Sequence, residues 1–474
     1  MNRYKSILLA LVLTLCSCAL REPSNTHPIP RKEIIVPTWL TSFTDSLIPI
    51  LAPQAIEHNQ DLAIAAARLR EGRALAREAR SRLWPDLALI GQGYRGNDLQ
   101  GSPFISNSGT IGADLNWEID FFGATTARSR SALNSVNALT FSAEHLQLLV
   151  LADLLTAIVE WRQAHTNIRE VTRLIATQQD QVELIRSRVN AGLLDAANLE
   201  RAEAQRLQTA SRLPLARALA ETSQYRIEVL TGQLPHSLSQ VLSLNSKQDL
   251  QAPKLNSILE LPVSTLRDRP DIRAAFETFA ASEQELRAAE ADLWPRVTFG
   301  AFFGARDVSV DIPLASNPIW SLAPSISLPI FNFNRLRSRV AAADARKQAA
   351  LARYEQTVIR AAQEIESALS TFRHGSEALL ILQRSQDRRR ETVTVLTERF
   401  RRGLIDMVSL TTAQAELDQA TLAVIEQTAA VNIAAITAHR AVVSTNEQEL
   451  PADGPAPSAT APAPMIVEAE KLPN

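Results

Sequence analysis

Residues 109–123 read GTIGADLNWEIDFFG. Ile111, Ala113, Leu115, Trp117, Ile119 and Phe121 are apolar, and Asp114, Asn116, Glu118 and Asp120 alternate with them. Successive side chains of a strand point to opposite faces, so a period of two describes a strand with one apolar and one acidic face. A half-buried sheet in a soluble domain and the wall of an outer-membrane barrel both show this alternation.

What accompanies the stretch narrows the choice. A second alternating run, IWSLAPSISLPIF at 319–331, sets Trp320, Leu322, Ile326, Leu328 and Ile330 on one face and Ser321, Ala323, Ser325 and Ser327 on the other. Pro324 and Pro329 weaken its ladder. Residues 86–96 and 296–307 supply two further strands, each entered through Leu-Trp-Pro, at Trp84 and Trp294. Proline disfavours helix in the residue before it, and tryptophan favours a membrane–water interface. Four strands cannot close around a lumen, so a barrel has to be shared among several identical chains.

The remainder reads as helix. Segments 46–83, 125–190, 196–231, 270–293, 335–401 and 407–444 are rich in Ala, Leu, Arg and Glu, with Pro214 as a kink or break in the third. Gly192, Gly232 and Gly403 are stops. At ~1.5 Å per residue, 335–401 extends roughly 100 Å, well beyond a compact domain. Its apolar residues, among them Val340, Ala343, Ala350, Tyr354, Val358, Ala361, Ile365, Leu369 and Phe372, recur every three or four positions, broken by Lys347. Such a seam takes a partner helix. A coiled-coil scaffold has the same helices but no use for the strands.

The two halves of the chain echo each other at an offset of about 210 residues: Trp84 with Trp294, the Arg-Ser-Arg at Arg128 with that at Arg337, and RVNAGLLDAANLERAEA (188–204) with RFRRGLIDMVSLTTAQA (399–415). Gly192 falls on Gly403 and Asp195 on Asp406. The repeated unit is helix, two strands, helix, turn, helix.

Several function classes are excluded by composition. A net charge of -2 lacks the basic excess that nucleic-acid binding needs. The two cysteines, Cys16 and Cys18, stand in the first twenty residues, leaving no thiol for later chemistry. The seven histidines, His27, His58, His145, His165, His236, His374 and His439, form no metal spacing, and no phosphate loop, nucleophile elbow or dinucleotide fingerprint is present. The reading is of a protein that is not an enzyme and needs no cofactor or metal. The longest apolar run, 139–161, is interrupted by Glu144, His145 and Asp153, so a membrane crossing of the mature chain is expected through strands.

Arg3 and Lys5 precede the apolar run ILLALVLTL (7–15), and Leu15-Cys16-Ser17-Cys18 follows it. This is an export address, either an ordinary signal peptide or one resembling a lipoprotein lipobox, with cleavage before Cys18 and acylation of its thiol. One acyl chain anchors only marginally without a second membrane contact.

The lipobox, WEIDFFG, LRDRPDI (266–272) before an Ala/Glu-rich helix into Leu-Trp-Pro, LPIFNFNRLRSRV (328–340) and RFRRGLIDMVSLTTAQAEL (399–417) together resemble the TolC-like outer-membrane factor family, in particular its lipid-anchored efflux branch. The resemblance spans 46–444. It implies a mainly α-helical fold with a membrane β-barrel: a homotrimer whose twelve strands form one outer-membrane barrel continuous with a long periplasmic α-helical barrel. It implies a passive exit duct for small molecules, working with a periplasmic adaptor and an inner-membrane transporter of the RND type, and anchored in outer-membrane lipid. The same architecture also serves type I protein secretion.

On this reading the chain divides into a signal peptide (1–17), a lipid-anchored segment (18–45), a first repeat (46–231, strands within 86–122), an equatorial connector (232–262), a second repeat (263–444, strands within 296–331) and a Pro/Ala-rich disordered tail (445–474). The connector and the N-terminal segment are expected to pack as a belt around the helices. Gly192, Leu193, Gly403 and Leu404 match the family's adaptor-docking tips, although a plain helical hairpin also ends in glycine. Asp195, Arg402 and Asp406 are candidates for inter-helix ion pairs at the gate, and Asp114, Glu118 and Asp120 for a cation-preferring lumen. One position departs from the family pattern. About nine residues after the second tip glycine, relatives often carry an acidic residue that forms a carboxylate ring. Here it is Thr412, with Ser409 nearby and Asp406 the nearest substitute.

Overall fold

The computed structural model describes residues 39–40, 43–97, 105–246, 248–251, 268–307, 318–331 and 333–442. The leader, Cys18, most of 18–45, all of 252–267 and the 445–474 tail lie outside the described residues, as do the two strand-to-strand loops.

Helices α1 (Ile48–His58) and α2 (Gln60–Ser81) lead into strands β1 (Asp86–Asn97) and β2 (Ile105–Ile119), followed by α3 (Ala124–Asn190), α4 (Ala196–Ala210), α5 (Arg212–Leu230) and the short α6 (Ser239–Asn245). The second half runs α7 (Pro270–Ala291), β3 (Arg296–Asp307), β4 (Pro318–Ser327), α8 (Phe333–Arg401) and α9 (Met407–Val442). The repeat is metrically close: α2 and α7 have 22 residues each, α3 and α8 have 67 and 69. At ~1.5 Å per residue, both long helices extend roughly 100 Å.

The strands form one antiparallel sheet in the order β1-β2-β3-β4, which leaves β1 and β4 as edges. Away from the sheet, the main core is a belt around the middle of the helices. Trp39, Leu40, Leu47 and Leu51 pack there with Leu151, Leu154, Ile158 and Trp161 of α3, Ile227 of α5, Leu238, Leu242 of α6 and Ile436 of α9. α3 and α9 each contain an 18-residue window apolar enough, by composition, to cross a bilayer. In α3 half of that window is buried within the fold, where the belt closes on it.

Four boundaries differ from the sequence expectation. The expected helix 46–83 is broken at Asn59, whose backbone is extended and whose side chain accepts the N–H groups of Asp61 and Leu62 to start α2. The break expected at Pro214 within 196–231 is present but falls three residues earlier, at Ser211: a proline cannot donate to the carbonyl four residues back, here Ala210. The strand expected at 109–122 begins earlier and ends at Ile119, and β4 ends at Ser327, two residues before Pro329. The connector contains α6, too short at seven residues for a periodic signal.

Candidate functional site

The ladder register sorts the wall into two faces. One cross-strand row is Leu87, Leu115, Ala301 and Leu322, and the next is Leu89, Ala113, Phe303 and Trp320. Between them lies Ala88, Asp114, Phe302 and Ser321, and nearer the helices Glu118, Thr298 and Ser325. The apolar face is bare: Leu87, Leu89, Phe303, Trp320, Leu322 and Ile326 are all exposed. A soluble chain rarely leaves so large an apolar patch uncovered. Asp114 and Glu118 stand on the opposite face, with no ion-pair partner among the described residues.

Asp120 does not join them. It lies beyond the end of β2, and its carboxylate accepts the N–H groups of Thr125 (3.1 Å) and Thr126 (2.7 Å). Partial burial disfavours its charge, but these Thr126 and Thr125 bonds, with the Ala124 N–H, hold its pKa below the usual aspartate value. It is a cap for the first turn of α3, where orphan donors attract an anion, and stands beyond the ladder that carries Asp114 and Glu118.

Both Leu-Trp-Pro stretches turn the chain from helix to strand with the same bonds. The Trp84 N–H donates to Ser81 and the Trp294 N–H to Ala291. Both indoles are exposed, and Trp294 stacks on Phe122 with ring centroids 5.4 Å apart. Trp117 Nε1 donates to the Leu83 carbonyl at 3.1 Å, fastening β2 to the first joint. At the second joint Asp292 pairs with Arg128 of α3 and with Arg296 at 3.1 Å.

The two distal turns have one geometry. Gly192 and Gly403 have φ of +72° and +71°, a region that costs a side chain about 1–2 kcal/mol. In the first turn the Leu193 N–H donates to the Arg188 carbonyl at 2.8 Å and the Gly192 N–H to Val189 at 2.9 Å; in the second, Leu404 donates to Arg399 and Gly403 to Phe400, both at 3.0 Å. Such a helix end ordinarily folds an apolar residue back onto its last turn. Here the residue opposite is an arginine in both copies, and Leu193 and Leu404 remain 73% and 69% exposed.

Within one chain the gate candidates take local partners. Asp195 caps α4 through the Ala197 N–H (3.1 Å), and Asp406 accepts the N–H and hydroxyl of Ser409. The Ser409 bonds hold the Asp406 pKa below its ordinary value. Arg402 pairs with Glu398 of its own helix at 2.9 Å. None makes an inter-helix ion pair within the chain, because capping and helix-surface partners lie closer. The Thr412 hydroxyl donates to the Val408 carbonyl. The inter-helix links near the tips are instead Arg186 to Glu203, Arg389 to Glu416, Gln178 to Asp418, and Arg188 over the Phe400 ring at 4.8 Å.

The model of the family described as outer membrane efflux protein matches residues 51–233 and 261–442, one segment in each repeat. The chain belongs to the outer membrane efflux protein family. It is 25% identical over 439 residues to "Nodulation protein T" of Rhizobium leguminosarum bv. trifolii, covering 89% of this chain and 93% of that one. It is 28% identical over 396 residues to "Solvent efflux pump outer membrane protein SrpC" of Pseudomonas putida, covering 79% and 80%. Among solved structures, the outer-membrane channel OprN superimposes with a TM-score of 0.81 at 29% identity, covering 86% of this chain and 92% of that one. This outer membrane efflux protein is therefore an outer-membrane component of an efflux system, in a family of channels and not of enzymes.

Two buried arginine clusters escaped the sequence reading. Arg162 of α3 is 1% exposed; it donates twice to Asp45, at 2.9 Å each, and also to the Asn245 carbonyl, joining the N-terminal segment to α6. Arg269, just before α7, bridges Asp271, Glu364 of α8 and the Ala441 carbonyl of α9. Burial opposes the charges of Asp271 and Glu364, yet hydrogen bonds from Arg269, and from Arg440 for Glu364, hold both carboxyls below their ordinary range. The only available sequence signal was the Arg-Asp-Arg-Pro-Asp run itself. Arg162 follows an apolar stretch as any helix-end charge does.

Proposed function

We propose that three copies of this protein form a passive exit duct for small molecules across the outer membrane. Each four-stranded sheet would supply a third of a twelve-stranded barrel, with β4 of one copy pairing β1 of the next. The long helices would continue it into the periplasm as an α-helical barrel. The observation that carries this reading is the sheet: an exposed apolar face, a polar reverse, and two edges that no described residue pairs and that a neighbouring copy would satisfy. Acylated Cys18 would add the lipid anchor.

Leu193 and Leu404 would dock a periplasmic adaptor and Gly192 and Gly403 shape its contact, while an inner-membrane transporter of the RND type supplies the energy. Asp195, Arg402, Asp406 and Thr412 stay close enough to the tips for a gate that rearranges when the adaptor binds. The relatives named for solvent efflux favour small solutes over a secreted protein. Electron microscopy of detergent-purified full chain tests the reading. It expects a threefold cylinder well over ~100 Å long by the helix arithmetic, and a filament or a small globule would refute it.

A further inference from the structure

The internal repeat carries information about the contact between copies, and this inference rests on the trimeric reading above. Within one chain, β2 of the first repeat pairs with β3 of the second, and α3 packs on α7. Rotation by one repeat turns α3 into α8 and α7 into α2. The contact between copies is therefore α8 of one against α2 of the next, beside the β4–β1 seam.

Within the chain, the membrane end of this contact is closed by two carboxylates. Asp292 pairs Arg128 and Arg296, and Asp120 caps α3. Between copies the equivalents differ. Arg128 maps onto Arg337, another arginine, but Asp292 maps onto Arg82, since Leu293-Trp294-Pro295 repeats Leu83-Trp84-Pro85. No counterpart of Asp120 exists either: 318–343 contains no Asp or Glu. Two arginines thus meet where the chain elsewhere holds an ion pair.

Within one chain neither arginine has a buried partner, although Asp86, the repeat counterpart of Arg296, sets one carboxylate four residues from Arg82. Arg82 has one exposed partner, Glu78, a turn back on its own helix at 2.9 Å, the kind of surface pair worth ~0–1 kcal/mol. Asp86, four residues on, forms no ion pair with it. Arg337 lies over the Phe333 ring at 4.6 Å and is exposed, as are Arg335 and Arg339; none has an acidic partner among the described residues. Arg80 is likewise exposed and unpaired there. The cluster sits at the same level as the exposed Trp84, Trp294 and Phe331, beneath the bare apolar wall. That is the height of headgroups if the wall faces acyl chains.

We propose that the joint between copies binds an anionic phospholipid, its phosphodiester bridging Arg82 of one copy and Arg337 of the next while its acyl chains lie against the apolar wall. The lipid supplies the anion that Asp292 supplies within the chain. Zwitterionic phosphatidylcholine carries the same phosphate but no net charge, so the site discriminates on charge as well as shape.

Native mass spectrometry of the full-length trimer, titrated with phosphatidylglycerol or phosphatidylcholine in detergent, tests this. Phosphatidylglycerol is expected to be retained about tenfold more tightly, as two arginines on one anionic headgroup imply. Arg82→Asp recreates the internal ion pair with Arg337. It should abolish that preference while keeping the trimer, whereas Arg80→Asp, the same charge change two residues away, should keep both. Should Arg82→Asp fail to assemble, Arg337→Gln should still lower the preference. A wild-type trimer indifferent to headgroup charge overturns the site alone, as does complete displacement of the bound phosphatidylglycerol by inorganic phosphate at the same concentration. A wild-type chain that is monomeric by mass fails the duct reading itself and takes the site with it.

Discussion

Single residues divide here into those that hold the helices together and those left free for a partner. Leu193 and Leu404 are free in both copies of the same turn, because the position they would cover is an arginine. Replacing both by Asp leaves each turn's backbone bonds intact, so assembly and conductance should persist. Binding to the cognate adaptor, measured by calorimetry, should weaken at least about tenfold, ~1.4 kcal/mol; unchanged binding would remove the tips from the docking surface. His439 belongs to the other class. It stacks on Trp39 at 5.9 Å and meets Phe43 edge-on, and burial lowers its pKa to about 4. A histidine depressed below its unfolded value of about 6.5 favours folding fully above that pH, and the contribution fades as pH falls toward 4. Thermal midpoints should therefore decline between pH 6.5 and 4, and the decline should be shallower in His439→Phe. The tip leucines could be found from the sequence because both turns spell Gly-Leu-hydrophobic-Asp. The His439 cage could not, since its partners lie some 400 positions away in the chain.

At the level of elements, period-two alternation and Leu-Trp-Pro located all four strands, and glycine located both distal turns, because these signals act within a few residues. Breaks imposed by distant packing were invisible. Asn59 illustrates the difference: its Nδ2 donates to the Leu230 carbonyl at the end of α5, while its Oδ1 starts α2. The neighbouring Gly232, at φ +71°, passes so close to the His58 carbonyl that a Cβ would sit 2.2 Å from its oxygen. α1 and α2 are thus separated by the docked end of α5, a contact 171 residues distant in sequence. The capping role of Asp120 was hidden for the same kind of reason, since alternation continues past the last ladder residue and only the start of α3 reveals the carboxylate as a cap. Asn59→Ala removes the cap and the link to α5 together and should destabilise the belt by about 1–2 kcal/mol. Asn59→Asp, which keeps the cap and loses the Leu230 bond, should recover part of it; equal loss in both variants would assign the whole effect to the α5 contact.

For the whole molecule, the register of the wall has an electrical consequence. Asp114 and Glu118 lie on the polar face in the half of the sheet nearest the helices, and neither is neutralised by an ion pair among the described residues. In a closed trimer each would recur three times around one cross-section, and charges sharing a narrow aqueous lumen add their potentials and raise the local cation concentration. Asp120 keeps its charge as well but holds it beyond the end of β2, against the first turn of α3. Reversal potentials across a planar bilayer under a salt gradient should accordingly report cation preference for the wild-type channel. Asp114→Asn with Glu118→Gln should move the reversal potential toward zero, and Asp120→Asn, beyond the ladder, should change selectivity less while lowering the thermal midpoint through the lost cap, typically ~1 kcal/mol. The effect should be largest in dilute salt, where the Debye length of roughly 30 Å at 0.01 M spans the lumen, and should fade near 1 M, where it is about 3 Å. Anion preference in the wild type, or a selectivity change confined to Asp120→Asn, would mean that the polar face does not line the conducting path.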